Sequence, residues 1–132
     1  MKSQITNYKP QTNSNEQKSK QYDLEERTLN FAKEVIEFVK TLPRTTANAE
    51  ITKQLIRSSG SVGANYIEAN ESLSKKDFVM RIKICRKESK ESSYWLKLAE
   101  VKNSNGESQR EVLIEEAMQL TKIFSSIAEK SR

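Results

Sequence analysis

Residues 56–70 read IRSSGSVGANYIEAN, and this stretch is among the most informative parts of the sequence for the fold. It is crowded with serine, glycine and alanine, although the sequence on both sides keeps an apolar spacing typical of a helix. We expect the helix to continue through the stretch, because a later helical segment offers small inward side chains at Cys85, Ser89 and Ser92. Two helix faces without bulk can approach closely and gain dispersion contacts. The alternative is a break at Gly60, which would give a helix–turn–helix.

Apolar residues recur at three- and four-residue intervals in four segments, and each pattern predicts a helix. The expected helices cover about residues 23–42, 46–72, 74–99 and 107–129. Pro43 is expected to stop the first helix, Thr46 or Asn48 to cap the second, and Ser74 to cap the third. Residues 103–106, with the sequence NSNG, are expected to form a turn.

The fold class follows from these four segments. No segment alternates with a period of two, and the chain has only 3 glycines. The sequence therefore predicts an all-α fold, an antiparallel up-down four-helix bundle with a disordered N-terminal tail. The side chains expected to face its core are Leu24, Phe31, Val35, Phe38, Leu42, Ile51, Leu55, Val62, Tyr66, Ala69, Leu73, Phe78, Ile82, Cys85, Ser89, Ser92, Leu96, Ala99, Leu113, Ala117, Leu120, Phe124 and Ile127.

The N-terminal segment differs in composition from the rest. Residues 1–22 are rich in Gln, Asn, Ser and Lys and hold few apolar side chains, so they cannot offset the entropy of ordering. We expect a disordered basic tail over residues 1–22 and the bundle over residues 23–132. Residues 1–20 hold four lysines against one glutamate, so much of the net charge of +5 lies in this tail.

The composition excludes several classes of function. The chain has no histidine, which removes the commonest general base and the commonest metal ligand. We therefore expect no enzymatic activity, no metal site and no cofactor. The single cysteine, Cys85, excludes an intrachain disulfide and fits a reducing compartment. No apolar run approaches the ~18 residues of a membrane span, so we expect a cytoplasmic protein without a membrane partner.

The third predicted helix carries a candidate nucleic-acid-binding surface opposite its inward face. Its candidate residues are Lys76, Lys83, Lys87, Lys90, Tyr94 and Lys97. Together with Met80 they form a stripe about 32 Å long without a carboxylate, whereas the first and fourth helices are acidic. Such segregated charge suits sequence-independent contact with phosphates. The alternative is an ordinary solvated face of the helix.

A second set of candidates is structural or interfacial. Ile84 and Trp95 lie among charged residues, which indicates either an interface rim or a partly covered edge of the core. Glu68 and Glu91 are expected to form ion pairs with Arg57, Arg81 or Arg86. The full set of candidates is Arg57, Asn65, Glu68, Ile84, Glu88, Glu91 and Trp95.

Three blocks of the sequence resemble a known family. The blocks are residues 57–69 (RSSGSVGANYIEA), residues 74–78 (SKKDF), and residues 86–91 (RKESKE) followed by YWL at residues 94–96. They resemble the four-helix-bundle proteins of the 23S rRNA intervening-sequence (S23) family over about residues 24–128. The resemblance implies an up-down bundle and a ring-like homo-oligomer, a pentamer. It also implies kinship with the accessory variability proteins of diversity-generating retroelements, which bind nucleic acid and a reverse transcriptase.

Two hypotheses of function follow from the sequence. The first is a non-enzymatic oligomeric bundle that associates with RNA or DNA through the basic surface of its third helix. The second is an interaction scaffold that docks a protein partner, such as a reverse transcriptase, without binding nucleic acid directly. The first predicts sensitivity to charge reversal at Lys83, Lys87 and Lys90, and the second predicts sensitivity at Ile84 or Trp95.

Overall fold

The computed structural model describes residues 23–131, and the predicted disordered tail of residues 1–22 lies outside the described residues. Four α-helices follow one another along the chain: α1 (Leu24–Lys40), α2 (Thr46–Asn70), α3 (Lys75–Leu98) and α4 (Ser104–Lys130). Each helix packs against its neighbours in sequence, and α4 closes the bundle by a looser contact with α1. Helices α1 and α3 therefore lie on one diagonal, and α2 and α4 on the other. The predicted four-helix bundle is confirmed.

The start of α2 is stabilised by two side chains. The hydroxyl of Thr45 accepts a hydrogen bond of 3.0 Å from the backbone N–H of Asn48, so the cap lies one residue before the predicted Thr46. The Asn48 side chain is buried and donates to the carbonyls of Pro43 (2.9 Å) and Glu100 (3.0 Å). This amide therefore joins the α1–α2 connection to the α3–α4 connection at one end of the bundle.

The ends of the later helices confirm one expectation and correct two. The Ser74 hydroxyl caps α3 by accepting from the N–H of Asp77 at 3.0 Å, as predicted. The predicted turn at residues 103–106 is wrong, because the Asn103 side chain accepts from the N–H of Gly106 at 3.0 Å and begins α4 there. Leu73 was expected in the core but is 99% exposed, because α2 ends at Asn70 and the helical spacing no longer applies to it.

The small-residue stretch remains helical, as predicted, but its glycines face elsewhere. The hydroxyl oxygens of Ser58 and Ser92 lie 2.8 Å apart between α2 and α3, and the thiol of Cys85 donates to the carbonyl of Val62 at 3.4 Å. Gly63 packs against Thr28 of α1 instead of against α3. Gly60 faces outward, where an added Cβ atom would meet no atom within 4 Å. The close approach of α2 and α3 therefore depends on serine and cysteine.

The core is continuous through all four helices. Its largest fully buried side chains are Phe31, Phe38, Phe124, Leu55, Ile82, Leu96, Leu113 and Leu120. Tyr66 borders this core and packs against Phe124 with the ring centres 5.8 Å apart. Within residues 23–131, no helix is both long enough and apolar enough to cross a membrane.

Candidate functional site

The basic surface is the outer face of α3. It is formed by Lys76, Lys83, Lys87, Lys90, Tyr94 and Lys97, and all six residues are exposed. Among the described residues, no carboxylate oxygen lies within 4.0 Å of the ammonium group of any of these five lysines. Their charge is therefore directed to solvent, without a direct ion pair to the described residues.

The opposite face of α3 explains why the lysines point outward. Ile82, Cys85, Ser89, Ser92 and Leu96 alternate at four- and three-residue intervals, and all of them are fully buried. The lysines follow similar three- and four-residue intervals but start from a different position. Because an α-helix has 3.6 residues per turn, they therefore lie on the side of α3 that faces solvent. The helix carries eight basic and three acidic side chains, which makes it the most positive element of the bundle.

A shallow groove of about 540 Å³ runs along the middle of the basic surface. Its rim carries the cations of Lys83, Lys87 and Lys90, and the partly buried side chain of Ile84 lines it. Met80, which is 49% exposed, provides a second apolar wall. A groove with a cationic rim and apolar walls can accept a phosphate chain along its edge, or a partner side chain on its floor.

One aromatic ring lies on the basic surface. Tyr94 is 57% exposed and meets Trp95 edge to face, with ring centres 5.1 Å apart. Trp95 is partly buried, and its indole N–H donates to Oε2 of Glu91 at 3.0 Å. The Trp95 ring thus supports Tyr94 from the side, and the exposed face of Tyr94 is available for stacking on a base.

Arg57 and two acidic residues of α3 form a cluster beside the basic surface. The Arg57 guanidinium donates to Glu91, and its Nη1 lies 3.3 Å from Oε1 of Glu88. Glu88 is only 7% exposed, and its Oε1 receives no hydrogen bond from the described residues. Hydrogen bonding to Glu88 and Glu91 raises the pKa of Arg57. The Trp95 indole, followed by Arg57, lowers the pKa of Glu91.

The remaining sequence candidates are separate from this cluster. Arg81 donates to Oδ1 of Asn65 at 2.9 Å, and the Asn65 amide donates to the carbonyl of Ser61 at 2.9 Å, so this pair links α3 to α2. Glu68 is exposed and forms no ion pair with the residues that the structure describes. The predicted ion pair is thus present for Glu91 and absent for Glu68.

Two features of the surface were missed from the sequence. Arg86 lines the groove beside Lys83, although the stripe pattern omitted it. A second groove of about 810 Å³ lies between α1 and α4, and its acidic lining residues are Asp23, Glu26, Glu34, Glu115 and Glu116. Arg27 crosses this groove and donates to Glu116 at 2.7 Å. The acidic composition of both helices could have indicated the second groove, but their looser contact could not be read from the sequence.

The other reactive groups of the described chain offer little chemistry. Cys85 is fully buried, and this burial raises the pKa of its thiol to about 12, which keeps it protonated at neutral pH. Over residues 23–131, no three His, Cys, Asp or Glu side chains are grouped as metal ligands would be. The exposed lysines and the Arg57 cluster are therefore the polar features best suited to binding.

These features define a class of protein, an all-α four-helix bundle with one basic helix face and a separate acidic groove between α1 and α4. The sequence model of the family described as 23S rRNA-intervening sequence protein matches residues 20–126. The chain therefore belongs to this family.

The chain is also similar to a solved structure. That structure, determined at 1.70 Å resolution, is of a protein of unknown function from the S23 ribosomal protein family from Bacteroides thetaiotaomicron. The two chains share 28% sequence identity with a TM-score of 0.67, and the match covers 79% of this chain and 96% of the other. No curated protein matches the chain.

Proposed function

We propose that this protein associates with RNA or DNA through the basic surface of α3, without enzymatic activity. The observation that carries the proposal is the row of five exposed lysines, none of which has a carboxylate oxygen within 4.0 Å among the described residues. Such lysines bind phosphates and release counterions, which gives affinity without reading the base sequence. The family description names an rRNA intervening sequence, which is consistent with a nucleic-acid partner.

The charge distribution supports a single binding face. The acidic groove between α1 and α4 would repel a polyanion, whereas the basic surface of α3 attracts it. A phosphate chain would therefore follow α3 and avoid the α1–α4 side. If the protein forms an oligomer, as the resemblance implies, several basic surfaces would act together and increase the affinity by avidity.

The test is binding to a labelled RNA hairpin and a labelled DNA duplex, followed by fluorescence anisotropy. We expect the Lys83→Glu/Lys87→Glu/Lys90→Glu variant to lose binding. The matched control is Lys33→Glu/Lys122→Glu/Lys130→Glu, which changes the net charge equally at exposed lysines of α1 and α4. Equal loss in both variants would contradict a local binding face.

The tail requires its own control, because its lysines could bind phosphates independently of the bundle. Replacing Lys2, Lys9, Lys18 and Lys20 by Gln in the full chain removes these charges and leaves α3 unchanged. Binding that persists in this variant assigns the affinity to α3. Binding that disappears would assign it to the tail.

A protein partner is the second candidate, favoured by the apolar walls of the α3 groove. Met80 is 49% exposed and Ile84 is partly buried beside it, so a partner side chain could be buried there. We propose a polymerase such as a reverse transcriptase as the type of partner, following the resemblance to retroelement accessory proteins. This candidate predicts that Ile84→Asp abolishes partner binding, while charge reversal at the lysines has little effect.

A further inference from the structure

An apolar platform interrupts the lysines near the C-terminal end of the basic surface. It consists of Tyr94, which is 57% exposed, and Leu98, which lies one helical turn further along α3 and is 46% exposed. Residues four positions apart are neighbours on one face of a helix, so both side chains belong to the outer face of α3. The basic surface thus carries a solvent-facing aromatic ring beside an aliphatic side chain.

Two lysines flank this platform. Lys90 lies four residues before Tyr94 and Lys97 lies three residues after it, so all three are on the same side of α3. At a rise of 1.5 Å per residue, the two lysines are about 10.5 Å apart along the helix, with Tyr94 between them. The side chain of lysine is long and flexible. Their ammonium groups can therefore reach both sides of a group that rests on the Tyr94 ring.

The Tyr94 ring is supported by a chain of contacts that reaches α2. Trp95 meets it edge to face, with ring centres 5.1 Å apart. The indole N–H of Trp95 donates to Glu91 at 3.0 Å, and the same carboxylate is paired with Arg57 of α2. These contacts restrain the platform before a ligand arrives, which reduces the entropy that is lost on binding.

The Tyr94 ring distinguishes a single strand from a duplex, whereas the lysines alone do not. Both forms of nucleic acid carry phosphates that a row of cations can follow. In a duplex, the bases are stacked on one another and present only their edges in the grooves. A base can lie flat on a tyrosine ring only when it is unpaired and turned out of the stack. An exposed ring between two cations therefore favours a single strand.

We propose that the basic surface of α3 binds single-stranded RNA or DNA, with one unpaired base stacked on Tyr94 and its flanking phosphates at Lys90 and Lys97. This inference rests on the proposed function and adds the strandedness of the ligand. Every base has an aromatic face, so stacking tolerates any sequence. The surface then binds unpaired segments without reading the edges of their bases.

The first test compares two labelled probes of equal charge with the full chain, by fluorescence anisotropy. One probe is an oligothymidine of about 12 nucleotides, and the other is an abasic chain of the same length, which keeps the phosphates and lacks the bases. Wild type should bind the oligothymidine about five- to a hundredfold more tightly than the abasic chain. Tyr94→Ala should remove this preference and leave the affinity for the abasic chain unchanged.

Two further variants separate the aromatic ring from other effects. Tyr94→Phe keeps the ring and loses only the hydroxyl, so the preference for oligothymidine should remain. The matched control is Met118→Ala, at an apolar position of α4 that is 43% exposed, and it should leave both affinities unchanged. A preference that disappears in Tyr94→Phe as completely as in Tyr94→Ala would contradict stacking on the ring.

The second test compares the two forms of nucleic acid. Tyr94→Ala should leave the affinity for a labelled blunt-ended DNA duplex unchanged, because paired bases do not reach the ring. Equal wild-type affinity for the oligothymidine and the abasic chain, or an equal loss of duplex and oligothymidine binding in Tyr94→Ala, would overturn the inference. If binding still depended on Lys83, Lys87 and Lys90, the proposed function would stand without it. A lack of binding to every probe would contradict both.

Discussion

The hydroxyl oxygens of Ser58 and Ser92 lie 2.8 Å apart in a fully buried contact between α2 and α3. Each hydroxyl also reaches a backbone carbonyl of its own helix, Ser58 that of Leu55 at 3.3 Å and Ser92 that of Glu88 at 2.9 Å. The polar groups are therefore satisfied without water. Two small side chains at this point allow α2 and α3 to approach closely, and the basic surface lies on the far side of α3.

Ser58→Leu tests this close approach. The larger side chain has no room between α2 and α3, so we expect the free energy of unfolding to fall by about 1–3 kcal/mol. Urea denaturation followed by circular dichroism measures the change. Ser108→Leu, at an exposed position of α4, is the control and should leave the stability nearly unchanged. Equal stability of the two variants would show that α2 and α3 are not tightly packed.

The two helical glycines of α2 should respond in opposite directions to alanine. Gly60→Ala should stabilise the fold by about 1 kcal/mol, because that position is open and alanine favours the helix. Gly63→Ala should destabilise it by about 1 kcal/mol or more, because its Cβ would lie 2.9 Å from Oγ1 of the buried Thr28.

Thermal unfolding of both variants in dilute solution measures the difference between these glycines. Adding Thr28→Ala to the Gly63→Ala chain removes the clashing oxygen and should restore part of the loss. If Gly60→Ala and Gly63→Ala had the same melting temperature, this would contradict the assignment of Gly60 to open space and of Gly63 to a contact with Thr28.

The helices could be predicted from the sequence, but which small residues face a neighbouring helix and which face solvent could not. Regular apolar spacing locates a helix, and Ser74 is recognisable as a cap from its spacing to Asp77. Gly60 and Gly63 differ by three residues, and the stretch around them is small on several faces. Nothing in the sequence therefore says which glycine meets a neighbour. Asparagine suits both turns and helix caps, so the sequence of residues 103–106 does not distinguish a turn from the cap that Asn103 forms.

Arg57→Met tests the ion pairs that hold α2 to α3. It removes the cation beside Glu88, a nearly buried carboxylate that already lacks a hydrogen bond at Oε1. We expect a loss of about 1–3 kcal/mol in the free energy of unfolding, because an unpartnered buried polar group is costly. The control is Arg44→Met, at an exposed position. The double variant Arg57→Met/Glu88→Met should recover part of the loss, and no recovery would contradict the pairing.

The acid dependence of stability should include a contribution from Glu91. The Trp95 indole and Arg57 lower the folded pKa of Glu91 below its ordinary value of 4.5. The stabilisation is therefore complete above pH 4.5 and is lost as the pH falls through the folded pKa. Wild type should be more stable than Glu91→Gln at neutral pH, and the difference should shrink below pH 4.5.

Melting temperatures across a pH series measure this contribution. Trp95→Phe removes the indole donor, so in that background the effect of Glu91→Gln on the melting temperature should depend less on pH. An effect of Glu91→Gln on the melting temperature that stays constant in the wild-type background down to pH 3, about thirtyfold in acidity below the ordinary pKa of 4.5, would contradict the assignment.

The candidate site could be predicted only in part. The outward position of the α3 lysines follows from helical periodicity, since the opposite face is apolar or small. The burial of Glu88 does not follow from helical periodicity. The spacing places Glu88 on a flank of α3, and the position of Arg57 on α2 decides whether that flank is covered. The acidic groove also depends on how closely α1 and α4 approach, which is a property of packing between segments distant in sequence.

The salt dependence of nucleic-acid binding tests the central claim most directly. We expect the logarithm of the association constant to fall linearly with the logarithm of salt concentration, with a slope of roughly −3 to −4.5 for each chain bound. Lys83→Gln/Lys87→Gln/Lys90→Gln should reduce the size of this slope by about 2–3, because three phosphate contacts are lost. An unchanged slope in that variant, or wild-type binding that salt does not weaken, would contradict the assignment of the α3 lysines as the nucleic-acid surface.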